Sequence, residues 1–394
     1  MNLFNKNLII YLLLISIILF LDLWRYYPTY GYSLFQDWLY LIDFKNCTED
    51  NNLTSIHLCN VILEHEFVYP KIWLKFTYFF EDRNFFKFLI IPFIFSYIFI
   101  CSNILKKESA FINIIFLISP VSILAIQRGN IDLVIFTLIY LFYFSLINNV
   151  TKYYSFFALF TAIKLKVYPL ALIPIYLIID NFDNKRLLSL FLSLFLFITL
   201  YSSELFTLLD TYNKSGVTLA FSSTVPFKIF NFVTNYSLNY LIITKILLVI
   251  IISYSCFSKI KFPNIDNKKE ISFLIGSAII VSGFFLNEGY VYKQIFIIFT
   301  LPLIFEYKKT ISYKMYLYLL IISFSSIWIE YLTFLVEQIF YIDLTKLKIN
   351  KSLTAINIIY GLSIILKNLV FWLLNINLIL ISTKIFLKKL GIKS

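Results

Sequence analysis

Apolar runs close to the length needed to cross a hydrocarbon layer recur from one end of the chain to the other. They fall at residues 8–21, 85–105, 110–126, 133–147, 153–179, 187–200, 241–257, 271–286, 295–305 and 316–335, and a last one ends at Phe386. A chain of 394 residues that is 60% hydrophobic and only 14% charged cannot hide that surface in a water-soluble core. The expected class is an all-α, polytopic membrane protein forming a single integral-membrane domain over 1–394. The expected count is about 10–12 transmembrane helices, because the breaks at Gly129 and Pro169 can be turns between spans or kinks inside shorter embedded helices.

Charge sets the expected orientation. The formal net charge of +12 suits a nucleic-acid partner less well than it suits lysine-rich cytoplasmic loops. If every run crosses once, with 153–179 counted as a pair of shorter pieces broken at 164–169, Lys6, Lys106, Lys107, Lys152, Lys185, Arg186, the basic stretch 259–269, Lys308, Lys309, Lys388 and Lys389 share one side. That side is the cytoplasm, with both termini inside and the first run retained as an anchor. The opposite face receives a long first loop at 24–84, a second at 202–238, and the polar breaks near Arg128, Lys164 and Lys293. The cytoplasmic loops are short, with no Gly-rich phosphate loop and no room for a nucleotide-binding domain. Chemistry by this chain is therefore expected outside, with a donor available there.

The most unusual polar stretch is Gln127-Arg128-Gly129-Asn130-Ile131-Asp132, between two apolar runs. An arginine, a carboxylate and two amides at a bilayer rim need partners or water. Asn130 and Asp132 are expected to hold a polar turn around Arg128. In the first loop, Asp37 stands in an aromatic, apolar stretch that raises the cost of its charge and suits it to take a proton from a hydroxyl; the alternative is a solvated loop aspartate. Asp22 is the second candidate. Arg128, Lys164, Lys166 and Lys293 lie in separate outer turns and together would neutralise a phosphate or pyrophosphate, Arg by a fork and Lys as a point charge. The alternative for any one lysine is snorkelling to the interface. Cys47 and Cys59 are 12 residues apart on the outer side, where they can pair or remain two unrelated thiols. No His, Cys and carboxylate spacing suggests a metal.

These motifs, in this order, resemble the membrane-embedded glycosyltransferases of the GT-C class, and among them the GT87 (DUF2029-like) branch that includes polyprenol-phosphate-mannose-dependent mannosyltransferases. Ser119-Pro120 followed by Gln127 to Asp132 is similar to the polar turn of that class. Lys164-Leu165-Lys166-Val167-Tyr168-Pro169 resembles its lysine–tyrosine–proline segment. Cys47 with Phe67-Val68-Tyr69-Pro70-Lys71-Ile72-Trp73 resembles a Cys, then Asn-Tyr-Pro-x-Ile-Trp pattern of bacterial relatives, with Val68 in place of Asn. Tyr292-Lys293-Gln294-Ile295-Phe296 resembles their Tyr-Arg-x-x-Phe, with Lys293 in place of Arg. The resemblance spans Asp37 to Phe296.

What it implies is an inverting transfer from a polyprenyl-phosphate sugar to an acceptor glycan or lipid on the extracytoplasmic face of a bacterial inner membrane. Asp37 would be the general base and the basic turns would stabilise the leaving phosphate. Tyr69, Tyr168 and Tyr292 would support the site, and no cofactor or metal would be needed. Two alternatives stand beside it. A polyprenyl-linked glycan flippase or transporter would place ionisable groups at mid-membrane, whereas most runs here are empty of charge. An O-antigen polymerase or ligase would lean on more outer arginines.

Overall fold

The computed structural model describes residues 35–50, 59, 72–80, 88–106, 110–148, 152–179, 220–234, 239–258, 263, 265–285, 289–339 and 355–392. Asp22, Tyr69 and the runs at 8–21 and 187–200 lie outside them. In chain order the helices are α1 (Gln36–Asp50), α2 (Ile72–Thr77), α3 (Ile91–Ile104), α4 (Ala110–Leu117), α5 (Pro120–Arg128), α6 (Asp132–Ile147) and α7 (Lys152–Leu165). A 3-10 helix, Tyr168–Leu172, leads into α8 (Ile173–Ile179). Then follow α9 (Val225–Thr234), α10 (Tyr240–Phe257), α11 (Asn267–Phe285), a second 3-10 helix Val291–Phe299, α12 (Leu301–Thr310), α13 (Tyr313–Ile339) and α14 (Ala355–Lys389).

The described chain is thus helical, as expected, with one departure. Ala220 and Phe221 pair antiparallel with Tyr290 and Gly289, giving a two-residue ladder. Among the described residues three stretches are long and apolar enough to cross a membrane: Tyr240–Phe257, Tyr313–Val336 and Gly361–Lys389. The run at 110–126 is not one straight helix. Phe111–Leu117 and Pro120–Arg128 meet at 51°. The cause is local: Pro120 has no N–H to give and opens a new helix, while the Ser119 hydroxyl accepts from the Ser122 amide at 3.4 Å as a cap would. Helices also occur within the two expected loops. Residues 24–84 contain α1 and α2, and residues 202–238 contain α9. In α1 the buried positions Trp38, Leu41, Ile42 and Lys45 recur at helical spacing, a pattern that its charged and polar neighbours obscure in the sequence.

The chain divides into two compact units. One takes its described residues from within Gly31–Asn103 and Ala125–Ser215. Here α6 packs along α7. The rings of Tyr97 and Phe136 meet edge-to-face at 4.9 Å and join α3 to α6, and Phe142 with Tyr176 joins α6 to α8. Trp38 and Trp73 meet edge-to-face at 5.9 Å and join α1 to α2. Such aromatic pairs add about 0.5–1.5 kcal/mol each beyond the area they bury.

The other unit takes its described residues from within Ile104–Leu124 and Gly216–Ser394. Here α13 lies along α14, and α11 contacts both α14 and the second 3-10 helix. Gly276 permits that last contact, since a Cβ there would stand 2.9 Å from the Phe296 carbonyl oxygen. At the ends of this unit's helices, Lys388 reaches Glu270 at 2.7 Å and Lys269 pairs with Glu306. Glu270 lies in the first turn of α11 and Lys388 in the last turn of α14, so each charge complements its own helix dipole. Burial, and next the Glu270 carboxylate, push the nearby Tyr307 hydroxyl well above its ordinary range, keeping it protonated.

Candidate functional site

The helix α5 ends in a backbone arrangement that creates the site. Gly129 is left-handed, with φ +57°. Its N–H donates to Ile126 O at 3.0 Å, and the Asn130 N–H donates to Ala125 O at 2.9 Å. This is the Schellman pattern, which satisfies helix-end carbonyls while reversing the chain. The next carbonyl, Gln127 O, accepts from the Phe35 N–H at 2.6 Å. Phe35 itself has φ 60° and lies so close that a Cβ on Gly129 would stand 3.1 Å from its Cδ1. The start of α1 is therefore clasped to the end of α5. That contact delivers Asp37, two residues further on, to the polar turn.

Asp37 is fully buried. Its Oδ1 accepts from Arg128 Nε at 2.8 Å and lies 2.6 Å from Arg128 Nη2. Its Oδ2 accepts from Asn130 Nδ2. Asn130 faces both ways, because its Oδ1 accepts from the Asp132 N–H at 2.8 Å. Asp132, also fully buried, opens α6. Its Oδ1 accepts from Lys166 Nζ and from the Tyr168 hydroxyl, the latter at 2.9 Å. Six residues thus form one chain of contacts, linked between Asn130 and Asp132 through the Asp132 backbone N–H: Arg128, Asp37, Asn130, Asp132, Lys166 and Tyr168.

Lys166 and Tyr168 reach Asp132 because α7 stops just before them. Pro169 cannot continue the α-helical ladder, and the backbone tightens into the 3-10 helix Tyr168–Leu172. The carbonyl of Leu165, left over at the end of α7, accepts from the Trp73 indole N–H at 3.2 Å. Trp73 in turn packs against Trp38 on α1. On the same helix, Cys47 is disulfide-bonded to Cys59 with a Cα–Cα separation of 5.9 Å. The aromatic pair and the disulfide together fix the helix whose first turn carries Asp37.

Of the residues singled out in the sequence, Asp37, Arg128, Asn130, Asp132, Lys166 and Tyr168 come together. Lys164 sits in the last turn of α7, half-buried, two residues from Lys166. Tyr292 and Lys293 are buried on the second 3-10 helix, in the other unit, where a Cβ on Gly283 would stand 3.2 Å from Lys293 Cδ. Two features are new. The first is that Arg128 directs Nε and Nη2 at Asp37, so the expected base and an expected phosphate ligand are each other's partners. The second is a buried ion pair, Glu330 with Lys367 at 3.1 Å, between the long apolar helices α13 and α14. A lone carboxylate in the run 316–335 and a lysine in the middle of the last run were the signal that would have found it.

Formal charge in the six-residue cluster sums to zero, with two carboxylates against a guanidinium and an ammonium. That balance lets ionised groups stay buried, since each has an opposite charge and hydrogen bonds. Among the described residues no three His, Cys, Asp or Glu side chains gather to hold one metal ion. No protein-family model, no curated protein and no solved structure matches this chain.

Proposed function

We propose that this chain is a polytopic membrane glycosyltransferase of GT-C type with both termini in the cytoplasm, working on the extracytoplasmic face of a bacterial inner membrane. It transfers a sugar from a polyprenyl-phosphate donor to an acceptor glycan or lipid, with inversion. The observation that carries this reading is the buried, charge-balanced chain from Arg128 to Tyr168, built at two helix breaks. Ionised groups in such a place are expensive, and a reacting site is the usual reason to keep them.

The chemistry follows from the charge balance. The acceptor hydroxyl oxygen attacks the anomeric carbon and its proton passes to Asp37. The bond from that carbon to the phosphate oxygen breaks, and its electron pair stays on the lipid phosphate. Protonation of Asp37 removes the negative partner of Arg128 as negative charge grows on the phosphate. Arg128 then faces the leaving group with its charge uncompensated, and Lys166 and Lys164 add to the field. Base and phosphate ligand being paired at rest ties the two halves of the reaction together.

The test is an assay in membranes with radiolabelled polyprenyl-phosphate sugars, comparing the wild-type chain with Asp37→Asn. Label should move to acceptor in the wild type and fall by roughly 10²–10⁴-fold in the variant, the usual contribution of a general base. A second reading has its own observation. The Glu330–Lys367 pair lies within apolar helices, as transport residues do. If no donor is consumed while a lipid-linked glycan changes leaflet, the transporter reading replaces the enzyme.

A further inference from the structure

Counting acceptor positions separates the two carboxylates of the cluster. Each carboxylate oxygen can accept about two hydrogen bonds. Asp37 is largely used, with Oδ1 taken twice by Arg128 and Oδ2 by Asn130. Asp132 is lopsided. Its Oδ1 holds both Lys166 and Tyr168, while its Oδ2 is buried and has no hydrogen-bond partner among the described residues. A bare, buried carboxylate oxygen is costly, and such groups in a site call for a ligand. The oxygen is also held in place. Lys166 and Tyr168 fix Oδ1, and the Asp132 N–H is fixed by Asn130, so Oδ2 has little freedom to turn toward another donor.

The missing partner must donate a hydrogen bond. A phosphate oxygen cannot, and its charge would repel the carboxylate. A cation would add charge to a cluster that already sums to zero. A neutral hydroxyl fits both conditions. We propose that Asp132 Oδ2 accepts a hydrogen bond from one hydroxyl of the sugar handled at this site, so that Asp132 selects which sugar is bound. This rests on the glycosyl-transfer reading, and the hydroxyl belongs to either the donor sugar or the acceptor sugar. Asp37 takes the reacting proton, whereas Asp132 reads a hydroxyl that does not react.

The experiment uses the full chain in membranes and two probe sets. One is polyprenyl-phosphate mannose with its four single-deoxy forms at C2, C3, C4 and C6. The other is methyl mannoside as acceptor with the same deoxy series. Transfer is read as kcat/KM. Removing one particular hydroxyl, other than the one that attacks, from one of the two sugars should lower the wild-type value by roughly 10–100-fold, the range for a bond to a charged acceptor. The same deoxygenation should cost less than about threefold in Asp132→Asn, because the partner has changed. The probe set that shows this coupling identifies the sugar. Equal penalties in wild type and variant would overturn the proposal while leaving glycosyl transfer intact. Should Asp132→Asn fail to fold, the wild-type series decides alone: every deoxy form that keeps the attacking hydroxyl turned over within about twofold would mean that Oδ2 meets water rather than sugar. If the wild type transfers nothing from any donor, the glycosyl-transfer reading falls first and takes this one with it.

Discussion

Among the described residues, clusters of opposite charge lie buried in each compact unit, and two of them, one per unit, are built differently. The Asp37–Arg128–Asn130–Asp132–Lys166–Tyr168 cluster sits where helices end. It includes one backbone donor, the Asp132 N–H just past the Gly129 turn, and its Lys166 and Tyr168 flank the end of α7 before Pro169. The Glu330–Lys367 pair sits inside two unbroken helices, α13 and α14. Around it Asn368 and Asn375 turn their amides back to carbonyls of their own helix. The first arrangement gathers side chains where the backbone turns. The second joins two long helices in one register and leaves the backbone closed. Burial of charge alone does not mark a reacting site; burial of charge at a helix break is the more telling sign.

Breaking the pairs from both sides is the strongest way to test that contrast. Lys367→Met alone should cost about 3–5 kcal/mol of stability, because it strands a buried carboxylate. Adding Glu330→Leu should recover that loss and keep turnover, since an ion pair inside apolar helices can be replaced by packing. The matching pair of changes at Asp37 and Arg128 should recover stability at most and never turnover. Thermal unfolding in detergent and transfer assays on the same four proteins decide it, and a working Asp37→Leu/Arg128→Met chain would erase the distinction.

A smaller effect is expected at the disulfide. Cys47→Ser with Cys59→Ser should destabilise the site unit by about 3 kcal/mol, the loop-closure value for a loop of this size. Both thiols should resist alkylation until reduced, and immediate labelling of the native chain would remove the disulfide from the account. Smallest is Trp73→Phe, which keeps the ring packing on Trp38 but loses the bond to Leu165 O. It should cost about 1 kcal/mol and lower transfer a few-fold, and an unchanged rate would show that the break after α7 holds Lys166 without it.

Much of the site was readable in the sequence because its parts are local. Gly129 between two apolar runs announces a turn, Pro169 announces the end of α7, and both carry their polar residues within a few positions. What sequence could not supply is pairing at a distance. Arg128 reads as a phosphate ligand until Asp37 is found against it, and nothing in either motif points to a partner so far along the chain. The bend at Ser119–Pro120 was hidden because the apolar character continues through it. The helix α1 was hidden for the opposite reason: its charged residues read as loop, while its spacing of Trp38, Leu41, Ile42 and Lys45 is helical. Glu330 and Lys367 lie in different runs, and nothing in either points to the other.

The clasp between Phe35 and Gln127 also has a consequence for how the chain is made. Asp37 and Arg128 are 91 residues apart, so at about 5–20 residues per second the ribosome completes the arginine roughly 5–18 s after the aspartate. Lys166 follows Asp132 by 34 residues and arrives roughly 2–7 s later still. During that interval the carboxylate at the start of α1 has no counter-charge and must stay hydrated. The helix α1 therefore cannot settle into its final place when it is made. The buried cluster closes only when the segment ending at Tyr168 has been delivered.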